Sequence, residues 1–340
     1  MTDSAIVVRD LVRTFKRRGQ PELRAVDGLT FSVRRGSIFG LLGPNGAGKT
    51  TTLKMLTTLL RPTSGHIAVE GFDPLKDPLE VRKRICVVIQ ESAVDLFLSV
   101  VDNFATFGRF HGLSHRAIRD RIDDVLDQFE LRSEANRKVM DLSGGFKRRV
   151  QVAKVFMVET PVVFLDEFST GMDPLLKRSV MERLRRESSR GRTIVLTTQI
   201  LSEAEELCDD ILIMRAGRQA ARGDINTLKL LSGGLYEISV TFAELPQGLS
   251  AAVASYHPLR VDVNQNSVLI TVREQEGRVL DLVAHLGRIG RVLRIEVSGA
   301  SLEDIFIELT AAARQTIDEP KWGDGAPRSE SPERVLGPRE

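Results

Sequence analysis

Residues 38 to 52, IFGLLGPNGAGKTTT, constrain this chain more than any other stretch. Ile38, Phe39, Leu41 and Leu42 form an apolar run that reads as a buried strand. Immediately after it, Gly43, Pro44, Asn45, Gly46, Ala47, Gly48, Lys49 and Thr50 fit G-x-x-x-x-G-K-T without a mismatch. Chemistry explains the residue types. Gly46 and Gly48 let backbone N–H groups curl around a phosphate with no Cβ in the way, while Lys49 brings a point charge to the β- and γ-phosphates. The Thr50 hydroxyl can ligate Mg²⁺, and with Thr51 it opens a helix whose positive end faces the anion. A strand, this turn and a helix predict an α/β core that binds a nucleoside triphosphate.

Such a loop serves many partners, and the composition removes some of them. A formal charge of +2 is too near zero to make nucleic acid the expected partner. The two cysteines, Cys86 and Cys208, sit in apolar stretches without metal-ligand spacing, as buried free thiols of a reducing compartment do. The N-terminus MTDSAIVVRD has neither a basic nor an apolar leader region. No apolar run approaches the roughly 18 residues that a spanning helix needs. The expectation is a protein that neither crosses a membrane nor is exported, and that can still attach to a membrane protein.

The chain in order predicts antiparallel strands over residues 5–42 that lead into the phosphate strand, a helix over 49–60, and a strand in HIAVEG. A buried strand then stops at Gln90. Residues 92–160 are helical in pattern and read as a subdomain inserted in the α/β core. Within them Phe97, Val100, Val101, Phe104, Phe107 and Phe110 recur at roughly helical spacing. They form either the inner face of that subdomain or an aromatic groove for a partner's helix. PVVFLDE and TIVLTTQ are apolar enough for parallel strands covered on both faces, so Gln90, Asp166 and Gln199 are expected to converge on the phosphate turn. Phe15 reads as core or as a ring that stacks on a base. Arg178, Arg183, Arg185, Arg186, Arg190 and Arg192 read as a solvated helix face.

Residues 228–234 contain LKLLSGG and read as a linker after a first domain over 1–227. Residues 235–313 then follow the order β-α-β-β-α-β, that of a ferredoxin-like unit. They end in SLEDIFIELTAAA, with Ser301 as helix cap and Asp304 at the third helical position. Residues 314–340, rich in Pro, Gly, Arg and Glu, are expected to be disordered. One further feature narrows the function. Ser143-Gly144-Gly145 opens a helix and makes a second anion-binding turn. One nucleotide does not need two such turns from one chain, and the arrangement makes sense if two copies sandwich the nucleotide.

With these motifs in their order, residues 5–230 resemble the ATP-binding cassette family of transport ATPases. GPNGAGKT is similar to its Walker A loop, Gln90 to its Q-loop glutamine, LSGG to its signature, VVFLDE to its Walker B strand and TGMD, ending at Asp173, to its D-loop. The closing SLEDIFIELT is similar to that of daunorubicin-resistance-type exporter subunits. The resemblance implies a P-loop ATPase core with an antiparallel β subdomain and a helical subdomain, ATP and Mg²⁺ as cofactors, and Phe15 stacking on adenine. Thr50, Gln90 and Asp166 attend the metal, while Ser143, Gly144, Gly145 and Asp173 meet nucleotide at the interface of a homodimer or heterodimer. Lys49, Glu167 and Gln199 are the candidate catalytic residues, with Glu167 polarising the attacking water.

Three positions depart from the pattern: Phe146 where glutamine is common, Phe168 where proline follows the glutamate, and Gln199 in place of the switch histidine. The expected function is the ATP-hydrolysing subunit of an exporter, held at the cytoplasmic face of the membrane by a separate transmembrane permease. Two alternatives stand beside it: a soluble cassette ATPase acting on the ribosome or DNA, and a slow ATP clamp because of Gln199.

Overall fold

Strands that are apolar at every position need cover on both faces, and the central sheet supplies it. A computed structural model describes residues 3–16, 19, 21–88, 94–231, 235–299, 302, 305 and 306. The long strands β1 (Ser4–Phe15) and β2 (Leu23–Arg34) pair antiparallel and lead into β3 (Ile38–Leu42), which is followed by α1 (Lys49–Leu56) and β4 (Ser64–Val69). Then come α2 (Pro78–Arg84), β5 (Ile85–Val88), and the helices α3 (Val100–Phe110), α4 (His115–Gln128) and α5 (Gly144–Ala153). The core continues through β6 (Val162–Asp166), α6 (Pro174–Ser189), β7 (Thr193–Thr198), α7 (Leu201–Leu207), β8 (Asp210–Arg215), β9 (Arg218–Gly223) and α8 (Ile225–Leu231). α1 stops four residues before the expected Leu60, because the Thr57 hydroxyl bonds back to the Leu53 carbonyl at 2.9 Å and Thr58 turns left-handed at φ 65°.

The six-stranded sheet has the order β5-β6-β7-β3-β8-β9, parallel except for β9. Its side chains sort by the two-residue period of a strand. Ile38, Leu42, Val163, Leu165, Ile194, Leu196, Ile211 and Ile213 enter the core shared with α3 to α7. Phe39, Leu41, Val162, Phe164, Val195 and Leu212 enter a second core under α1 and the antiparallel sheet β2-β1-β4. Phe31 of that smaller sheet stacks on Phe39 with ring centroids 5.3 Å apart.

α3 resolves the aromatic stripe. Ser99 caps the helix by accepting from Asp102 N–H at 3.0 Å, and this sets which face turns inward. Phe104 is 0% exposed and Val100 is buried with it, whereas Phe110 is 84% exposed and Phe97, which precedes the Ser99 cap and lies outside α3, is 74% exposed. The stripe therefore divides between core and surface. The arginine series also needs correction, because Arg192 is not on a solvated face. It is 8% exposed and donates to Thr160 O at 2.9 Å and Val155 O at 3.1 Å, since the chain turns back into β7 directly after α6.

The expected linker begins inside α8, where Leu228 is fully buried in the main core. After it, β10 (Leu235–Phe242), α9 (Leu249–Ala254), β11 (Arg260–Asn264), β12 (Ser267–Arg273), α10 (Glu276–Ile289) and β13 (Val292–Gly299) form an antiparallel sheet of order β11-β12-β10-β13. Ile238, Val240 and Phe242 alternate inward beneath Leu249 and Val253 of α9 and Val279, Leu282 and Leu286 of α10. Leu235, Leu302 and Ile305 pack into the main core instead, and Leu302 N–H donates to Glu205 at 3.0 Å. Gln90, the Ser301 cap, Asp304 and the tail 314–340 lie outside the described residues. Among the described residues no helix is long and apolar enough to cross a membrane.

Candidate functional site

The C-terminal ends of β3, β6 and β7 lie side by side, because β7 pairs with both of the others. The loop between β3 and α1 therefore faces Glu167 and Gln199. These two residues, with Phe15, Lys16, Leu23, Ala25 and the run Asn45 to Thr51, line a cleft of about 600 Å³. Two glycines of the loop are sterically required. At Gly48, with φ 103°, an added Cβ would lie 2.3 Å from the Ala25 carbonyl, and at Gly43 it would lie 2.4 Å from the Met214 carbonyl. Among the described residues no side chain caps the first turn of α1, so its N–H groups remain directed at the cleft.

Lys49 is only 6% exposed and donates to the carbonyls of Gly43 at 2.7 Å and Pro44 at 3.2 Å. Burial pulls its pKa below the ordinary lysine range, against the opposing pull of the Glu167 and Asp166 carboxylates. Asp166, buried at the end of β6, accepts from the Thr197 hydroxyl and stands 3.3 Å from the Thr50 hydroxyl. Glu167 follows with φ 46°, a left-handed conformation that costs a non-glycine residue on the order of 1 kcal/mol or more. Its N–H donates to the Thr197 carbonyl at 3.0 Å, and its carboxylate accepts from the Gln199 amide at 2.5 Å.

That last contact revises the expected part of Gln199, which holds the carboxylate of Glu167 as well as facing the cleft. Phe15 is half-buried at the far end of the cleft, with the Arg13 guanidinium 4.5 Å from its ring centroid. Ser143 and Gly144 are exposed at the start of α5 and do not line the cleft, nor does Asp173, which caps α6 through Leu176 N–H at 2.9 Å and pairs with Arg149 at 2.6 Å. Phe168 is fully buried in the main core, and Phe146 packs 5.1 Å below the Arg149 guanidinium.

Sequence reasoning missed two residues. Thr197, the penultimate residue of β7, is one; its signal was the pair of threonines ending an otherwise apolar strand. Arg148 is the other. It is buried and donates to Asp166 O at 2.7 Å, Glu167 O at 2.5 Å and Phe168 O at 3.0 Å. Its only signal was its place three residues after Gly145, on the same face of α5.

A second cavity of about 550 Å³ lies between α4 and α6 and is lined by Arg121, Arg183, Arg186, Arg190 and Arg192. It holds no phosphate loop. Glu159 pairs with Arg121, and Glu187 with Arg190 and Arg192.

Among the described residues no cluster of three or more His, Cys, Asp or Glu could hold a metal by itself. The Thr50 hydroxyl beside one buried carboxylate is instead a hard-oxygen pair suited to an ion whose remaining ligands are phosphates and water.

Known proteins resemble this chain in sequence and in fold. A family profile described as ABC transporter matches residues 26–170. The chain is 39% identical over 319 residues to the daunorubicin resistance ATP-binding protein DrrA3 of Streptomyces coeruleorubidus, covering 94% of this chain and 95% of that one. It is 38% identical over 285 residues to the Nod factor export ATP-binding protein I of a Rhizobium species, covering 84% and 91%. Among solved structures, an ATP-binding subunit of an ABC transporter superposes with a TM-score of 0.62 at 28% identity, over 68% of this chain and 94% of that one.

Proposed function

Because the chain belongs to the ATP-binding cassette transporter family, we propose that it is the ATP-hydrolysing subunit of an exporter, working in pairs that close on ATP. One observation carries this reading: Glu167 and Gln199 face the phosphate loop across the same cleft. The triphosphate lies along residues 43–51 with its adenine toward Phe15. Lys49 exchanges the Gly43 and Pro44 carbonyls for phosphate oxygens. Thr50 and Asp166 would hold Mg²⁺, together with Gln90 in this reading, and the ion would neutralise charge on the phosphates. Glu167 takes the proton of the attacking water, whose oxygen bonds the γ-phosphorus as the bond to ADP breaks, giving ADP and phosphate. Ser143 and Gly144 are exposed in the single chain and Gly145 half-buried, which supports the reading that this turn closes over a second subunit's nucleotide beside Asp173.

Gln199 supports hydrolysis in two ways, as a donor into the cleft and as the partner of Glu167. Gln199→Ala is expected to lower phosphate release by about 10²-fold, and Gln199→His by less, because a donor remains. Steady-state phosphate release by the full-length variants with ATP and Mg²⁺ checks this. Equal rates for native and Gln199→Ala chains would remove Gln199 from the mechanism.

Export requires a separate transmembrane permease, and we read the chain as lying against it at the cytoplasmic face of the membrane. We read residues 235–299 as a ferredoxin-like accessory domain, supported by the strand order β11-β12-β10-β13 with both helices on one face. The exposed rings of Phe97 and Phe110 support a docking surface for the permease. Phe97→Asp and Phe110→Asp are each expected to change stability by no more than about 0.5 kcal/mol, as surface substitutions do. They should reduce recovery of the permease with this chain from detergent extracts. Native recovery by both variants would place docking elsewhere.

A further inference from the structure

We infer that Arg148 is a positioning residue for hydrolysis: it holds the turn that presents Glu167 and ties it to the helix opened by the Ser143 turn. Resting on the reading of Glu167 as the proton acceptor, this adds a residue to the machinery that never touches the nucleotide. The observation is a buried cation with no carboxylate partner among the described residues. Arg148 donates to three successive carbonyls, of Asp166, Glu167 and Phe168, and its remaining contact is the Gln151 side-chain oxygen at 2.8 Å. Among the described residues no ion pair to it is formed. Burial pulls its pKa below the ordinary arginine range, opposed by the Asp166 and Glu167 charges. A buried guanidinium on carbonyls alone is a poor way to gain stability compared with an apolar side chain. Its geometry serves something else.

The three carbonyls belong to the segment in which Glu167 takes its left-handed conformation at φ 46°. Residues in such regions persist only where the surroundings over-determine them. Here the constraints come from both sides. Thr197 takes the Glu167 N–H from β7, and Arg148 takes the carbonyls from α5. Without the guanidinium, the peptide between residues 167 and 168 is free to rotate and swing the carboxylate away from the water.

α5 carries the link further. Gly145, Arg148 and Arg149 share one face of the helix at spacings of three and four residues. A Cβ at Gly145 would lie 3.2 Å from the Gly171 carbonyl, and Arg149 pairs with Asp173. The whole segment from 166 to 173 is thus fastened along the first turns of α5, so the orientation of that helix and the position of Glu167 change together.

The test uses the full-length chain with Arg148→Gln, which cannot span three carbonyls, and Arg148→Lys, which keeps the charge and reaches fewer of them. Displacing a catalytic group by about 1 Å can cost 10²-fold. Arg148→Gln is therefore expected to lower kcat by about 10²-fold with KM and ATP affinity, measured by equilibrium dialysis, within about threefold of native. Arg148→Lys should recover at least about tenfold of that loss. Thermal unfolding accompanies each variant. Native kcat in Arg148→Gln would overturn the proposal. So would loss of folding in both variants, or a kcat that follows only the folded fraction, since these outcomes leave Arg148 a structural role alone. If Glu167→Gln keeps native turnover, the reading of Glu167 is what fails, an outcome separable from any result at Arg148.

Discussion

Glu167→Gln is expected to bind ATP like the native chain and to lower steady-state phosphate release by about 10³-fold. A general base contributes roughly 10² to 10⁴ in rate, and glutamine cannot accept the proton of water. Binding is expected to be spared because the proposed triphosphate contacts come from Lys49, Thr50 and the loop backbone, which line the cleft beside Glu167 and remain in place in the variant. The Gln199 amide loses a charged acceptor at 2.5 Å and gains a neutral amide oxygen in its place. The measurement is kcat beside ATP affinity, and turnover within about tenfold of native would assign proton transfer elsewhere.

The second large effect concerns the fold. Phe104→Ala is expected to destabilise the protein by about 3–5 kcal/mol, because the ring is 0% exposed in the main core and its removal leaves a cavity. For a unit of this size each kcal/mol corresponds to about 2–4 °C, so the unfolding midpoint should fall by roughly 10 °C. Phe97→Asp and Phe110→Asp should leave it almost unchanged. A native midpoint for Phe104→Ala would mean that α3 packs with a different face inward.

The sequence was most legible where physics leaves little choice. PVVFLDE and TIVLTTQ had to be covered on both faces, and in the structure alternate residues of β6 and β7 do enter two separate cores. Strand ends that share a sheet edge then had to bring Asp166, Glu167 and Gln199 to the phosphate loop. Other features needed the third dimension. The α3 stripe has helical spacing throughout, yet spacing alone does not say how far the cover over that face extends, so Phe104 and Phe110 look alike until the packing is seen. Arg192 reads as one more surface arginine because nothing local signals the tight return into β7. Arg148 and the Gln199–Glu167 contact escaped because they join segments 18 to 32 residues apart through side-chain direction. The helix α8 over the expected linker follows from Leu228 finding the main core, which neighbouring glycines obscure.

We propose that two copies of this chain close on ATP. Sedimentation velocity of full-length Glu167→Gln tests it most directly, with Mg²⁺ and either ATP or ADP. The expected result is a species of twice 37.7 kDa with ATP and a 37.7 kDa species with ADP. A 37.7 kDa species under both conditions, at ATP concentrations shown to saturate the cleft, would contradict it.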